Sequence, residues 1–169
     1  MDWNNWTPRE RATLCFVRDA GRVLLIRKKR GLGAGKVNGP GGRLEPGETT
    51  VEGAIRETQE EVGITPLNLE KKGELHFQFL DGYSLHCTVF IARGYEGTLR
   101  ETDEADPFWA DAGAIPLHDM WEDDGHWLPL IIDGKNFRGY FEFNVDKLLS
   151  HRVDIVASWE AAAEALPAE

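Results

Sequence analysis

Glu57, Glu60 and Glu61 stand at i, i+3 and i+4. On a helix this spacing brings three carboxylates to one patch. For an unliganded helix the arrangement is unfavourable. Like charges so placed cost roughly 0.2–0.5 kcal/mol per pair, and two of them fall in the last turn, where the macrodipole adds about 0.3–1 kcal/mol against negative charge. A cation held by all three would reverse the penalty. Oxygen-only ligands suit a hard divalent ion such as magnesium or calcium. A solvated acidic face is the plainer alternative, and the glycine-rich run Gly39-Pro40-Gly41-Gly42 just upstream weighs against it.

The element that must carry these groups is predicted over Thr50–Val62. Thr49 and Glu52 have capping-box spacing, and Val51, Ala54, Ile55, Thr58 and Val62 recur at helical intervals to give a buried face. Gly63 falls where a left-handed cap is expected, with Pro66 soon after. Upstream, Ala12–Arg18 and Arg22–Arg27 read as strands joined at Asp19-Ala20-Gly21. The basic run Arg27-Lys28-Lys29-Arg30 follows; it is either a solvated strand end or a source of cations for phosphate. Downstream, Gly73–Leu80 and Ser84–Arg93 read as a hairpin turning at Asp81-Gly82. Phe108–Asp111 and Gly139–Phe143 are shorter strand candidates, and Trp121–Asp133 reads as a turn and a second helix limited by Pro129. The segment after Asp146 is alanine-rich and reads as helical from about His151. The fold class expected is α/β, a mixed sheet between helices.

The run Gly42, five residues, Glu48, seven residues, Arg56-Glu57, two residues, Glu60-Glu61, one residue, Gly63-Ile64 resembles the signature of the Nudix hydrolases. Thr58 departs from it, standing where that family usually has a bulky aliphatic, and should face the core. The resemblance implies a Nudix-type α/β/α sandwich and a magnesium-dependent pyrophosphohydrolase, with manganese as a possible substitute. Further stretches resemble the branch that hydrolyses oxidised purine nucleoside triphosphates. They are Lys28–Gly31, Gly33–Gly35, Asn38-Gly39, Asp119–Trp121, Asp123-Asp124, Trp127, and Phe137 with Gly139–Phe141. That branch converts 8-oxo-dGTP and 2-hydroxy-dATP to monophosphate and pyrophosphate, which sanitises the nucleotide pool and prevents DNA damage. Carried over, Thr13, Asn38, Phe77, Trp121, Asp123 and Asp124 fall on the nucleobase pocket and Lys28 on a substrate contact. Glu57, Glu60, Glu61, Glu104 and the Gly41 carbonyl fall on metal positions. Arg56 is expected to pair with Glu48 or Glu57, and Glu61 or Glu104 to take a proton from water. Leu32, Val37 and Pro40 depart from aromatic residues of the branch.

The residues themselves suit this chemistry. A purine needs a flat apolar wall and a few polar groups at its edge, which Trp121, Phe77, Asn38, Asp123 and Asp124 can supply. Core packing is the alternative for the two aromatics, and a helix N-cap for the aspartates. Two rival functions stand beside the first: hydrolysis of another nucleotide (an ordinary or methylated purine triphosphate, or a dinucleoside compound), and nucleotide sensing without turnover. Intact carboxylates argue against the sensor.

The 169 residues suffice for one domain with a real core. We expect an N-terminal extension over 1–10, loosely held, a catalytic domain over 11–149 and a helical tail over 150–169. A net charge of −10 argues against duplex nucleic acid as partner. No apolar run approaches the ~20 residues of a membrane span. Cys15 and Cys87 sit in strand-like runs without metal or disulfide spacing, which suits reduced core residues and a cytoplasmic protein, with a monomer slightly favoured.

Overall fold

The computed structural model describes residues 1–159. Nine strands and two α-helices follow one another: β1 (Glu10–Asp19), β2 (Arg22–Lys28), β3 (Val37–Asn38), β4 (Gly41–Arg43), α1 (Thr50–Val62), β5 (Ile64–Phe79), β6 (Ser84–Gly97), β7 (Ala105–Asp111), α2 (Asp124–Ile132), β8 (Asn136–Asn144) and β9 (Lys147–Val156). The strands form one mixed sheet in the order β3-β2-β1-β6-β5-β8-β9, with β4 beside β1 and β7 beside β2. β1 runs parallel to β6, and β5 parallel to β8; the other pairs are antiparallel.

Each helix covers one face. Alternation along β1 assigns the faces: Ala12 and Phe16 belong to the core with Trp127, Leu128 and Ile131 of α2, and Cys15 and Val17 to the core with Ala54 and Val62 of α1. This is the α/β/α sandwich expected from the sequence. α1 has the bounds, capping box and left-handed Gly63 cap that its sequence predicts. Thr58 is fully buried, and its hydroxyl donates to the Ala54 carbonyl at 2.7 Å, so a polar residue sits in the core without an orphaned donor. Cys15 and Cys87 are free thiols in the core. Among the described residues no helix is long and apolar enough to cross a membrane.

Three expectations need correction. The helix expected from about His151 is strand through Val156, because β9 zips onto β8 from Lys147 onward and its backbone groups find partners there. The rest of that predicted helix lies outside the described residues. The first ten residues are not loosely held. Trp3 and Trp6 pack edge-on against His76, Trp3 also meets Tyr140, the Trp6 indole donates to Gln78 at 2.9 Å, and Glu10 already lies in β1. β5 starts directly after Gly63 and carries Pro66 within it, well before Gly73.

Candidate active site

Gly41 and Gly42 hold β4 tight between β1 and α1. A Cβ on Gly41 would lie 2.0 Å from the Thr13 carbonyl oxygen, and one on Gly42 would lie 2.5 Å from Glu57 Cδ. Only glycine permits this approach, and it sets the backbone directly on the helix carboxylates. The Gly41 N–H donates to Glu61 at 2.8 Å. Glu104 arrives from the far side of the fold, because Ala105 pairs with Lys28 across β2 and β7. Thr102 ties that approach to the helix end by donating to the Glu61 carbonyl at 2.7 Å. Carboxylate oxygens of Glu57, Glu61 and Glu104 thus lie within 4.8 Å of one another.

The geometry separates the helix glutamates. Glu60, expected on the metal patch, is exposed and accepts from Arg56 Nη1 at 3.3 Å. Arg56 is the brace of the site. It donates to both oxygens of Glu48, at 2.7 and 2.8 Å, to Glu57 at 2.9 Å and to the Arg43 carbonyl at 3.1 Å. Its fork fixes the direction of Glu57 while Glu48 neutralises it.

Charge at the cluster is unbalanced. Burial pushes the Glu61 carboxyl up to about 8, against the pull of the Gly41 N–H, and burial also raises Glu57 against the pull of Arg56. Burial lowers Lys28, partly offset by Glu61 and Glu57. Arg30 reaches Glu104 at 3.1 Å, a contact with no signal in residue spacing. An all-oxygen donor set, with one carboxyl driven so far from its usual range, fits a hard divalent cation.

A second group of predicted residues gathers at the start of α2. Asp123 and Asp124 are buried; Asp123 stands at the N-cap position of α2, but its side chain makes no capping bond, so capping does not account for its carboxyl. Asp123 Oδ2 accepts from the Trp127 indole at 2.8 Å, while Asp124 Oδ2 is buried without a partner. Burial raises both carboxyls, Asp123 to about 6 and Asp124 well above its ordinary value, since its neighbour's charge adds to desolvation. Trp121 and Phe77 stand on the same face, both against Phe143, at 5.4 and 6.1 Å between ring centroids. Gly39 packs on Phe16, and Phe16 on Trp127, which brings the Asn38-Gly39 corner toward the aspartates. Asn38 itself turns its side-chain oxygen onto the Gly39 N–H at 2.8 Å.

Two predicted residues lie elsewhere. Thr13 alternates with Ala12 and Leu14 of the α2 core, so its side chain is on the α1 face, opposite Gly42 and away from the aspartates; its hydroxyl is buried and unpartnered. Lys28 donates to the Leu32 carbonyl at 2.7 Å beside the carboxylate cluster. Of the departures from the resembled branch, Val37 is fully buried in the α2 core and Leu32 is exposed.

A NUDIX domain model matches residues 8–131. The oxidized purine nucleoside triphosphate hydrolase of Danio rerio is 45% identical over 146 residues, covering 85% of this chain and 94% of its own. The Mus musculus protein of the same name is 41% identical over 149 residues, covering 87% and 96%. A MutT protein of Bacillus halodurans, solved by crystallography, superposes with a TM-score of 0.78 at 30% identity, covering 86% of this chain and 97% of that one. Matched in sequence over most of its length and in fold over the same span, the chain belongs to the Nudix family.

Proposed function

We propose that the protein is a divalent-cation-dependent pyrophosphohydrolase that converts oxidised purine nucleoside triphosphates, 8-oxo-dGTP and 2-hydroxy-dATP, to the monophosphate and pyrophosphate. One observation carries the reading: a carboxylate cluster suited to a hard cation shares the molecule with a buried aspartate pair, one oxygen of Asp124 unpartnered, flanked by aromatic rings. The names of the zebrafish and mouse relatives support the substrate class.

Glu57, Glu61 and Glu104 would hold magnesium or manganese, with the Gly41 carbonyl beside them. Bound there, the ion would neutralise phosphate charge and polarise the attacking water. Phosphoanhydride hydrolysis is otherwise a matter of positioning. Lys28, half-buried and facing the cluster, is placed to exchange the Leu32 carbonyl for a phosphate oxygen. Arg56 keeps Glu57 aimed, and Glu60 serves that brace from outside. Glu61 is sealed from solvent, whereas Glu104 is open to it, so Glu104 is the better placed to take the proton from water. At the other end Trp121 and Phe77 form the walls of the base site, Asn38 its corner, and Asp123 and Asp124 its edge; Thr13 backs the glycine loop. In this reading residues 147–156 belong to the catalytic domain.

The test is a substrate screen with pyrophosphate detection, with and without magnesium, covering 8-oxo-dGTP, 2-hydroxy-dATP, the ordinary and methylated purine triphosphates and dinucleoside compounds. A higher kcat/KM for an ordinary nucleotide than for either oxidised one would refute the assignment. Binding without turnover would establish a sensor instead.

A further inference from the structure

The loop between β2 and β3 is bound to the base site by a side chain with two partners. Gly33 lies so close to Trp121 that a Cβ there would sit 2.7 Å from the indole nitrogen. Three residues on, the Lys36 ammonium stands 5.4 Å from the centroid of the Trp121 ring and 3.7 Å from Asp146 Oδ2. Asp146 belongs to the two-residue connection between β8 and β9, since Asn144 pairs with Lys147. That connection is costly as built. Val145, a β-branched residue, has φ of 59° and is 78% exposed, so no packing offsets a backbone that glycine would adopt freely. Backbone strain of this kind persists only where the surrounding structure holds it. Here the turn that contains it sets Asp146 beside Lys36.

We propose that the β8–β9 turn is part of the substrate-selecting apparatus: Asp146 holds Lys36 against Trp121 and thereby fixes the indole that walls the base. The proposal rests on the reading of Trp121 as a base wall. Lys36 and Asp146 are positioning residues, since both act through the ring. The position of Trp121 depends on what braces it. Its ring contacts with Phe143 at 5.4 Å and Phe79 at 6.2 Å are edge-on, which leaves the ring face to be set from the loop side. A cation over an indole and an exposed ion pair are each weak, but together they select one ring orientation. The turn lies beyond residue 131, where the match to the domain model ends. Base selection would therefore depend on chain outside the matched segment.

The experiment is steady-state kinetics of the full chain with 8-oxo-dGTP and 2-hydroxy-dATP, for Asp146→Asn, Lys36→Ala, Lys36→Arg, Trp121→Ala and the Trp121→Ala/Asp146→Asn double variant. Asp146→Asn and Lys36→Ala should each raise KM by about two- to tenfold, with kcat and the melting temperature nearly unchanged. Lys36→Arg keeps both contacts and should restore wild-type KM. In the Trp121→Ala background Asp146→Asn should add nothing, because the ring through which it acts is gone. An equal loss in both backgrounds would overturn the proposal, as would an unchanged KM in Asp146→Asn while Trp121→Ala raises it. Unchanged KM in Trp121→Ala would overturn the base-wall reading and the clamp together.

Discussion

Replacing Asp124 by Asn tests whether the aspartate pair holds a proton. Both carboxyls are raised by burial, so in the folded chain they keep protons that they lose when unfolded. The unfolded state therefore binds fewer protons, and stability falls as pH rises above the ordinary carboxylate range near 3.8. For Asp123 the fall continues until its own folded carboxyl ionises, near pH 6. Asp124, raised by burial and by its neighbour's charge, contributes a second loss of the same sign. Asparagine imitates a protonated aspartate and can donate to Asp123, but it cannot ionise when unfolded. Near pH 4 the variant and wild type should melt together. By about pH 6 the variant should be ahead by on the order of a kcal/mol or more, a shift of at least a few degrees in melting temperature for a chain of this size. Activity should move the opposite way. A carboxyl pair can move its proton to suit different purine edges and an amide cannot, so kcat/KM for 8-oxo-dGTP and 2-hydroxy-dATP should fall unequally. The assays are calorimetry across pH without added metal, compared by difference so that other titrating groups cancel, and kinetics for both substrates. Parallel melting curves across pH would show that Asp124 is ionised in the fold, and the proton-sharing argument would be wrong.

Glu61→Gln should lower turnover by orders of magnitude while Glu60→Gln, which only loosens the exposed side of Arg56, should lose far less; equal losses would put Glu60 back among the metal ligands. Gly42→Ala should weaken manganese binding, measured by calorimetry, by more than about tenfold, because the new methyl displaces Glu57; unchanged affinity would remove Glu57 from the site. Lys28→Ala should reduce kcat/KM for the triphosphate with little effect on monophosphate binding, and equal kinetics would make Lys28 an ordinary strand-end lysine. Trp6→Ala should cost about 1–3 kcal/mol in chemical denaturation, since its ring and indole N–H are both engaged by β5; no change would restore the view of a loose N-terminus.

What was legible in the sequence was local. α1 carries its own signals at both ends, and its bounds are those its residues predict. The carboxylates were legible as a group, but helical spacing alone placed Glu60 with Glu57 and Glu61. It could not show that Arg56 would hold Glu60 outward; Glu104, named only through the family resemblance, comes beside Glu57 and Glu61 through β2–β7 pairing. β9 was hidden for a related reason. Lys147–Val156 has little apolar alternation and precedes an alanine-rich run, so its strand character comes from β8. Pro66 read as a breaker because its strand is recognisable only through its pairing with Tyr95 on β6. The docking of Trp3 and Trp6 follows no periodicity; it depends on His76 and Tyr140, aligned by the β5–β8 register.

The parallel pairing of β1 with β6 also bears on how the chain is born. Glu10 waits for Leu85 and Val17 for Ala92. At roughly 5–20 residues per second, β1 leaves the ribosome about 4–15 s before its neighbour exists. During that interval Cys15, Phe16 and Val17, all fully buried in the finished fold, have no sheet to join. Early partners are available only at the margins: β2 meets β1 at Arg18 and Asp19, and β4 meets it at Ala12–Leu14. The nascent chain therefore carries an open strand edge until β6 emerges. Slowed elongation between β4 and β6 should favour capture by chaperones or misassociation over productive folding.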